Sequence, residues 1–368
     1  MKKIKLFSRL LFLLNLLSAI LLLLAYVARE VSPNIFWPLA FLGLALPYLL
    51  IINILFLVFY SFRGNSKLFL SLIVIILGYQ SLPSLIQLRF NSEKAADNHL
   101  KVLSFNVRVF DLYMWSKEKK TRNKIIDFLK EQDPDVVCLQ EFYHRDKVNK
   151  AYPFKTLDTL LEVLSAKNYH FQYTSTVRET DHWGIITFSK YPILEKGIVP
   201  FAIKDDNICI YSDIKVDNKI VRIYNAHLAS IKLDKHDYKA MQEINNNDYS
   251  ENFDQEMMLL TKLKYGFKRR ATQADSIKKS ISNSPYPVII CGDFNDSPPS
   301  YAYKTIKGKL SDAFIESGSG LGRTYIGEFP SFRIDYIFYD KLLSATEFTT
   351  HDIKLSDHRP ISAKISLE

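Results

Sequence analysis

Three apolar runs in the first ninety residues set the tightest limit on what this chain can fold into. They are Leu10 to Ala28, Phe36 to Tyr60 and Leu68 to Leu88, each long enough as a helix to cross a hydrocarbon core of about 30 Å. Inside a bilayer every backbone polar group must find its partner within the segment, so such runs read as helices. Pro38, Pro47 and Pro83 fall within them; proline breaks soluble helices but is tolerated in spanning ones. Lys2, Lys3 and Lys5 would suit a cleaved leader, yet no small-x-small cleavage site follows the first run and two more runs come straight after it. The sequence therefore predicts a transmembrane region over residues 1–90, with three helices at about 10–28, 36–60 and 68–88. A polar linker over 91–98 and one large domain over 99–368 follow.

The charge divides along the same line. Eight Lys and Arg residues in 1–90 face Glu30 alone, which leaves +2 of the net +9 for the rest of the chain. A domain so close to neutral argues against a surface built for many nucleic-acid backbone contacts. Basic residues also orient the spans. Lys2, Lys3, Lys5, Arg9, Arg63 and Lys67 fall on one side, against Arg29, Arg89 and Lys94 on the other. This asymmetry puts the N-terminus inside and, after three spans, the large domain outside the cytoplasm. Cys138, Cys209 and Cys291 sit in apolar, strand-like runs, where each reads as a small buried hydrophobe with no zinc spacing.

Beyond residue 99, strand-like and helical stretches alternate and pair. Strands are expected at 100–106, 136–140, 169–174, 184–189, 208–216, 220–228, 288–291, 334–339 and 361–366. Asp217-Asn218 makes a hairpin turn between two of them. Helices are expected at 117–131, with Ser116 as its cap, and at 157–167. Residues 231–282 turn charged, Asn-rich and helical. Their cluster Lys262, Lys264, Lys268, Arg269 and Arg270 suits phosphate or anionic head groups, or simply a solvated helix face. The whole fits a layered α/β domain with mixed sheets.

Chemistry-bearing residues recur at the tips of these strands. "VLSFNVR" ends near Asn106, "VVCLQE" at Glu141, "IYNAHL" carries Asn225 and His227, "VIICGDFND" carries Asp293 and Asn295, and "SDHRP" holds Asp357 and His358 before the last strand. Carboxylates and amides of this kind suit Mg²⁺ or Mn²⁺, and the histidines suit proton transfer or contact with phosphate oxygens. Hydrolysis of a phosphoester requires such an inventory: a positioned water, neutralised phosphoryl oxygens and help for the leaving group.

With "RIDYIF" added, these segments in this order resemble the signature set of the endonuclease/exonuclease/phosphatase superfamily, to which deoxyribonuclease I belongs, from about Leu100 to Ser366. The resemblance implies a deoxyribonuclease I-like two-sheet α/β sandwich with its site at one edge of the sheets. It implies metal binding by Glu141, Asn106 and Asp357, phosphate or substrate contacts by Asn106, Asn225 and Arg333, and a phosphate contact by His227. Asp293 and Asn295 would position the nucleophile, and Asp335 would orient His358 as a paired acid–base group. Either His358 or Asp293 would activate the water. Two departures stand out: Arg108 occupies a position where some nucleases of the superfamily carry an acid, and a helical insert at about 231–267 exceeds what a minimal member needs.

The expected function is that of a membrane-anchored, divalent-metal-dependent phosphoesterase acting on a lipid-linked or small phosphoester. The alternatives are a membrane-tethered nuclease acting on extracellular DNA or RNA, and a non-catalytic binding module of the same fold. The charge asymmetry yields a direct prediction. Of two reporters fused after Glu368, the one active only outside the cytoplasm should work and the one active only inside should stay silent; the reverse pattern would invert the topology.

Overall fold

The computed structural model describes residues 2–89, 99–116, 120–147, 155–203, 206–231, 253–327 and 332–367. The expected linker 91–98, the start of the expected helix at 117–119 and the 232–252 part of the expected insert lie outside the described residues.

Helices α1 (Lys2–Val27) and α3 (Pro38–Phe62), separated by the short α2 (Pro33–Phe36), are each long and apolar enough to cross a membrane. The third run differs from its expected single helix. It breaks at Gly78 into α4 (Leu68–Leu77) and a turn leading to α5 (Leu82–Leu85), bent by 50°. The reason is local. A Cβ on Gly78 would fall 1.9 Å from the Tyr26 ring of α1, so the ring packs where a side chain would stand, and Pro83 follows soon after. Ala19, Leu22, Leu46, Leu49 and Val74 form the common core of these helices. Buried polar side chains tie it together. The Ser71 hydroxyl donates to Asn15 Oδ1 (2.7 Å) and Asn53 Nδ2 donates to the Ser18 carbonyl (3.1 Å), the kind of interhelical bond that apolar surroundings favour.

The remainder is a sandwich of two six-stranded sheets. The first runs in the order β11-β12-β1-β2-β4-β3, with β1 (His99–Asn106), β2 (Val136–Arg145), β3 (Asn168–Val177), β4 (Asp181–Ser189), β11 (Ser344–Thr350) and β12 (Ile361–Ser366). The second runs β5-β6-β7-β8-β10-β9, with β5 (Ile193–Val199), β6 (Ile208–Val216), β7 (Lys219–His227), β8 (Val288–Asp293), β9 (Ser311–Asp312) and β10 (Asp335–Tyr339). Alternate residues point to opposite faces, so Val102 and Val136 join the core between the sheets. Leu103 and Val137 pack outward, under helices α6 (Thr121–Gln132) and α7 (Thr156–Val163). On the far side, Tyr224 and Ile290 meet Ala274 and Ile277 of the 30-residue helix α8 (Phe253–Ser282), beside α9 (Tyr301–Lys307) and the short α10 (Ala313–Ser317). The three cysteines are free and buried. Ser116 does not cap α6: the cap position is Lys120, and the Ser116 hydroxyl bonds Asp111 and Thr121 instead.

Strand direction decides where the chemistry gathers. β1 and β2 are parallel, and so are β7 and β8, so Asn106, Glu141, His227 and Asp293 all emerge at one edge. β10 runs antiparallel to β8 with Asp335 paired to Asp293, and β12 runs antiparallel to β1 with Ile361 beside Ser104. The starts of these two strands bring Asp335 and the Asp357-His358 pair to the same edge.

Gly292 is what lets β8 arrive there. Its φ is +141°, and a Cβ would lie 1.9 Å from the Ala226 carbonyl oxygen of the parallel neighbour. Gly292→Ala should therefore destabilise the domain by about 3 kcal/mol or more, read as a lower midpoint in chemical unfolding. An unchanged midpoint would show that the sheet relaxes around the methyl group.

Candidate active site

The strand ends surround a cavity of about 220 Å³ lined by Glu141, Asp293, Asn295, Asp357 and His358. Its deepest group is the Asp293 carboxylate, which is buried. Its Oδ2 accepts from Asn106 Nδ2 (3.0 Å) and Asn295 Nδ2 (3.2 Å), and its Oδ1 accepts from the Asn295 backbone N–H (2.8 Å). Burial, partly offset by the neighbouring imidazoles, pushes its pKa up to about 6. Asn295 holds its place with a left-handed φ of +52° and a second bond from Nδ2 to the Leu228 carbonyl (3.0 Å).

Glu141 reaches the cavity through a bulge. The β2–β4 register shifts between Leu139 and Phe142, and Glu141 takes φ +49°. Such a bulge turns one side chain out of the pleat. Asn106 Nδ2 donates to Glu141 Oε1 (3.1 Å). Burial raises the Glu141 pKa and the nearby Asp357 carboxylate adds to that rise, against the Asn106 bond. Asp357 itself lies 3.3 Å from Arg108 Nε. The Arg108 departure from the family pattern thus puts a guanidinium beside the site carboxylates.

His227 and His358 flank Asp293 with opposite leanings. His227 Nε2 sits 3.7 Å from Asp293 Oδ2 and 3.8 Å from Glu141 Oε1, buried and without a hydrogen-bond partner. Burial lowers its pKa despite the carboxylate beside it, which favours the neutral ring. His358 Nδ1 is 2.9 Å from Asp335 Oδ2, and its Nε2 is 3.6 Å from Asp293 Oδ2. Burial lowers its pKa too, but Asp335 and Asp293 together outweigh that and hold it well above the ordinary histidine value.

Glu141 and Asp357 both present hard carboxylate oxygens to the cavity and could hold a divalent cation, whose charge would offset the desolvation that raises the Glu141 pKa. Asn106, the third expected ligand, turns its amide nitrogen toward Glu141 and Asp293, while its oxygen accepts from the Arg108 backbone N–H (3.0 Å). In this geometry it positions the carboxylates. Asp293, Asp335 and His358 also form a compact group with their ligand atoms within 4.8 Å of one another. There the imidazole already sits between two carboxylates and offsets part of their charge, which suits proton handling better than metal binding.

Two expectations do not reach the cavity, and a third residue leaves its expected place. Asn225 is buried between the sheets: Oδ1 accepts from Gln140 Nε2 (2.7 Å) and Nδ2 donates to the Ile186 carbonyl (2.8 Å), so it pegs the sheets together behind Glu141. Arg333 is buried and bound to Asp312 (2.9 Å) and the Ser84 carbonyl (2.9 Å). Arg270 leaves the expected basic cluster altogether. It is buried against Asp296 (3.0 Å) and the Ala229 carbonyl (2.9 Å) and lines the cavity from that side. The sequence reading also missed contributors. The Thr324 hydroxyl accepts from the Ile334 and Asp335 backbone N–H groups (3.0 and 3.1 Å), and the Tyr325 ring packs edge-on against His358 at 5.5 Å. Both lie in a loop with no periodicity to announce them. Leu44 of α3 lines the cavity too, hidden in an apolar run that signals only a membrane span.

Two mixed sheets covered by helices, with acids, amides and histidines gathered at one edge, define a two-sheet α/β sandwich with its site at the strand ends. The model of the endonuclease/exonuclease/phosphatase family matches residues 103–358, and the chain belongs to that family. Residues 8–85 match a domain of unknown function. No curated protein matches the chain. Among solved structures, an endonuclease/exonuclease/phosphatase family protein from Bacteroides thetaiotaomicron is 16% identical with a TM-score of 0.52, covering 75% of this chain and 98% of its own. An endonuclease/exonuclease/phosphatase from Beutenbergia cavernae is 16% identical at TM-score 0.51, covering 73% and 72%. The catalytic domain of human Nocturnin, with bound sulfate, is 16% identical at 0.50, covering 75% and 96%. At these identities the likeness is one of fold.

The His358 environment can be measured. The imidazole binds its proton more tightly when folded than when unfolded. The pair's contribution to stability is therefore complete below the unfolded value of about 6.5 and fades as pH rises through the raised folded value. Asp335→Asn should lower the His358 titration midpoint, followed by ring NMR signals, by about one unit or more. An unmoved midpoint would mean that Asp335 serves only the strand.

Proposed function

We propose that this chain is a membrane-anchored, divalent-metal-dependent phosphoester hydrolase. The observation that carries the reading is the meeting of Glu141, Asp357, Asp293 and His358 at one cavity, with the oppositely tuned His227 3.7 Å from Asp293 Oδ2, in a family named for nucleases and phosphatases. Glu141 and Asp357 would hold Mg²⁺ or Mn²⁺, with Asn106 orienting the carboxylates. The bound cation would neutralise phosphoryl oxygens and lower the pKa of a coordinated water. The neutral His227, with its unpartnered Nε2, is placed to meet a phosphoryl oxygen. Asp293, fixed by Asn106 and Asn295, orients the attacking water and accepts its proton. His358, kept protonated by Asp335, carries the positive charge that steadies the developing oxyanion and supplies a proton to the leaving group.

The domain is read as extracytoplasmic. The loop before α3 docks on the sandwich, through Lys304–Glu30 (3.2 Å) and Asn34–Thr272 (3.1 Å). Arg63 and Lys67, at the other end of α3, fall on the opposite side, together with the basic N-terminus.

Glu141→Gln keeps the volume and removes the charge. It should cut Mg²⁺- or Mn²⁺-dependent turnover of a phosphodiester or phosphomonoester by about 100-fold or more while leaving the thermal midpoint in place. Near-wild-type turnover at limiting metal would remove Glu141 from the metal site and weaken the reading as a whole.

A further inference from the structure

The cavity wall is partly membrane helix. Leu44 of α3 faces the same space as Asp293 and His358, and Leu259, Leu263 and Phe267 of α8 pack against Ala40, Phe41 and Ile231 beside it. A second groove of about 290 Å³ runs on from there. Pro47, Tyr48 and Ile51 of α3 line it with Pro298, Pro299 and Leu321 of the sandwich, and Ser84, Arg323 and Arg333 border it. Ser297 and Phe332 line both spaces, so they adjoin. Leu44, Pro47, Tyr48 and Ile51 stand at i, i+3, i+4 and i+7, a single stripe about 10 Å long. Helix and sandwich close tightly at the head of that stripe, since a Cβ on Gly43 would lie 3.1 Å from the Pro299 carbonyl oxygen. At its far end Tyr48 and Ile51 are 52% and 55% exposed, within a helix apolar enough to span a bilayer. On the membrane-anchored reading above, that exposed surface faces lipid.

From this continuity we infer that the substrate is an amphiphile, a phosphoester carrying a long apolar chain. Its phosphate enters the cavity at Asp293 and its chain lies along the α3 stripe toward the bilayer. The inference rests on the phosphoester-hydrolase reading above and narrows it. A soluble phosphoester would leave the groove unused, with apolar surface facing a charged site. A chain laid along it removes apolar area from water on the way from membrane to site, and burying even about two methylene groups is worth roughly tenfold in affinity.

The test uses the full chain in phosphatidylcholine vesicles with Mg²⁺ or Mn²⁺ and two matched pairs of probes. These are methyl and hexadecyl p-nitrophenyl phosphate, followed by nitrophenolate release, and methyl and hexadecyl phosphate, followed by phosphate release. For at least one pair, kcat/KM for the hexadecyl ester should exceed that for the methyl ester by about tenfold or more. Ile51→Trp and, from the sandwich side, Leu321→Trp fill the groove and should each shrink that ratio at least about fivefold. Residual methyl-ester turnover shows that the variant is folded. Ile52→Trp, one position round the helix and off the groove, should keep the ratio and so separates groove occupancy from simple partition into the vesicle. Turnover of both chain lengths at similar kcat/KM, or a hexadecyl preference untouched by both groove-filling variants, would overturn the inference and leave the hydrolase reading standing. No turnover of any ester with either metal would sink the hydrolase reading itself.

Discussion

A buried carboxylate with no compensation costs several kcal/mol, and Asp293 is a carboxylate buried at the seam of the sandwich. What keeps it there is a set of donors drawn from both sheets. Asn106 comes from the first sheet, and Asn295 from the turn that ends β8 in the second. The hydrogen bond between Asn106 and Asp293 therefore satisfies a charge and also closes the two sheets at their edge. Everything else at the site follows from that closure. Glu141 is held by the same Asn106, and His227 and His358 stand on either side of the same carboxylate. Gly292 contributes by absence, since any side chain there would push β8 away from β7.

The N-terminal helices and the sandwich are not separable in this structure. Phe41 packs edge-on against Phe267 at 5.1 Å, Lys264 lies 5.3 Å from the Trp37 ring, and Arg333 donates to the Ser84 carbonyl. Gln87 and Gly320 pair as an isolated bridge. These contacts come from two separate stretches of the N-terminal region, at 37–41 and 84–87, so the sandwich is held in one orientation relative to these helices. A flexible tether would only raise local concentration. A docked one fixes the direction in which the cavity opens.

Strand ends and their acids were legible in the sequence because the signal is local: an apolar run stops and a polar residue follows. The runs at 208–216 and 361–366 match β6 and β12 as expected. The edge strands β5 and β11 were not, because "ILEKGIV" and "SATEFTT" are half exposed and mix charge with apolar residues. Burial face was the other blind spot. Asn225 and His227 are two residues apart on β7, and period-2 reasoning places them on the same side, yet Asn225 is consumed between the sheets while His227, at the strand's last position, opens onto the site. Arg270 shows the same limit in a helix: five basic residues in nine look like a solvated face until Asp296 claims one of them. Nothing local could show that Leu44 belongs to the cavity, because its neighbours in the α3 sequence are apolar as well.

Backbone strain at the site has a compensating source. Arg108, Val109, Phe110 and Asp111 take φ values from +43° to +58° in succession, and Glu141 and Asn295 are left-handed as well. For residues other than glycine the left-handed conformation costs roughly 1–2 kcal/mol each, so four in a row would not persist on local preference. Val109 and Phe110 are buried, and Phe110 meets the Phe142 ring edge-on at 5.5 Å, which sets hydrophobic burial against the strain. Asn106 Oδ1 accepts from the Arg108 N–H at the head of the turn, and the Arg108 guanidinium reaches Asp357 at its far side. Phe142 follows the Glu141 bulge directly. The apolar packing that stabilises the strained turn is thus joined through one residue to the bulge that presents Glu141, and the two carboxylates on which metal binding would depend are positioned by the fold before any ligand arrives.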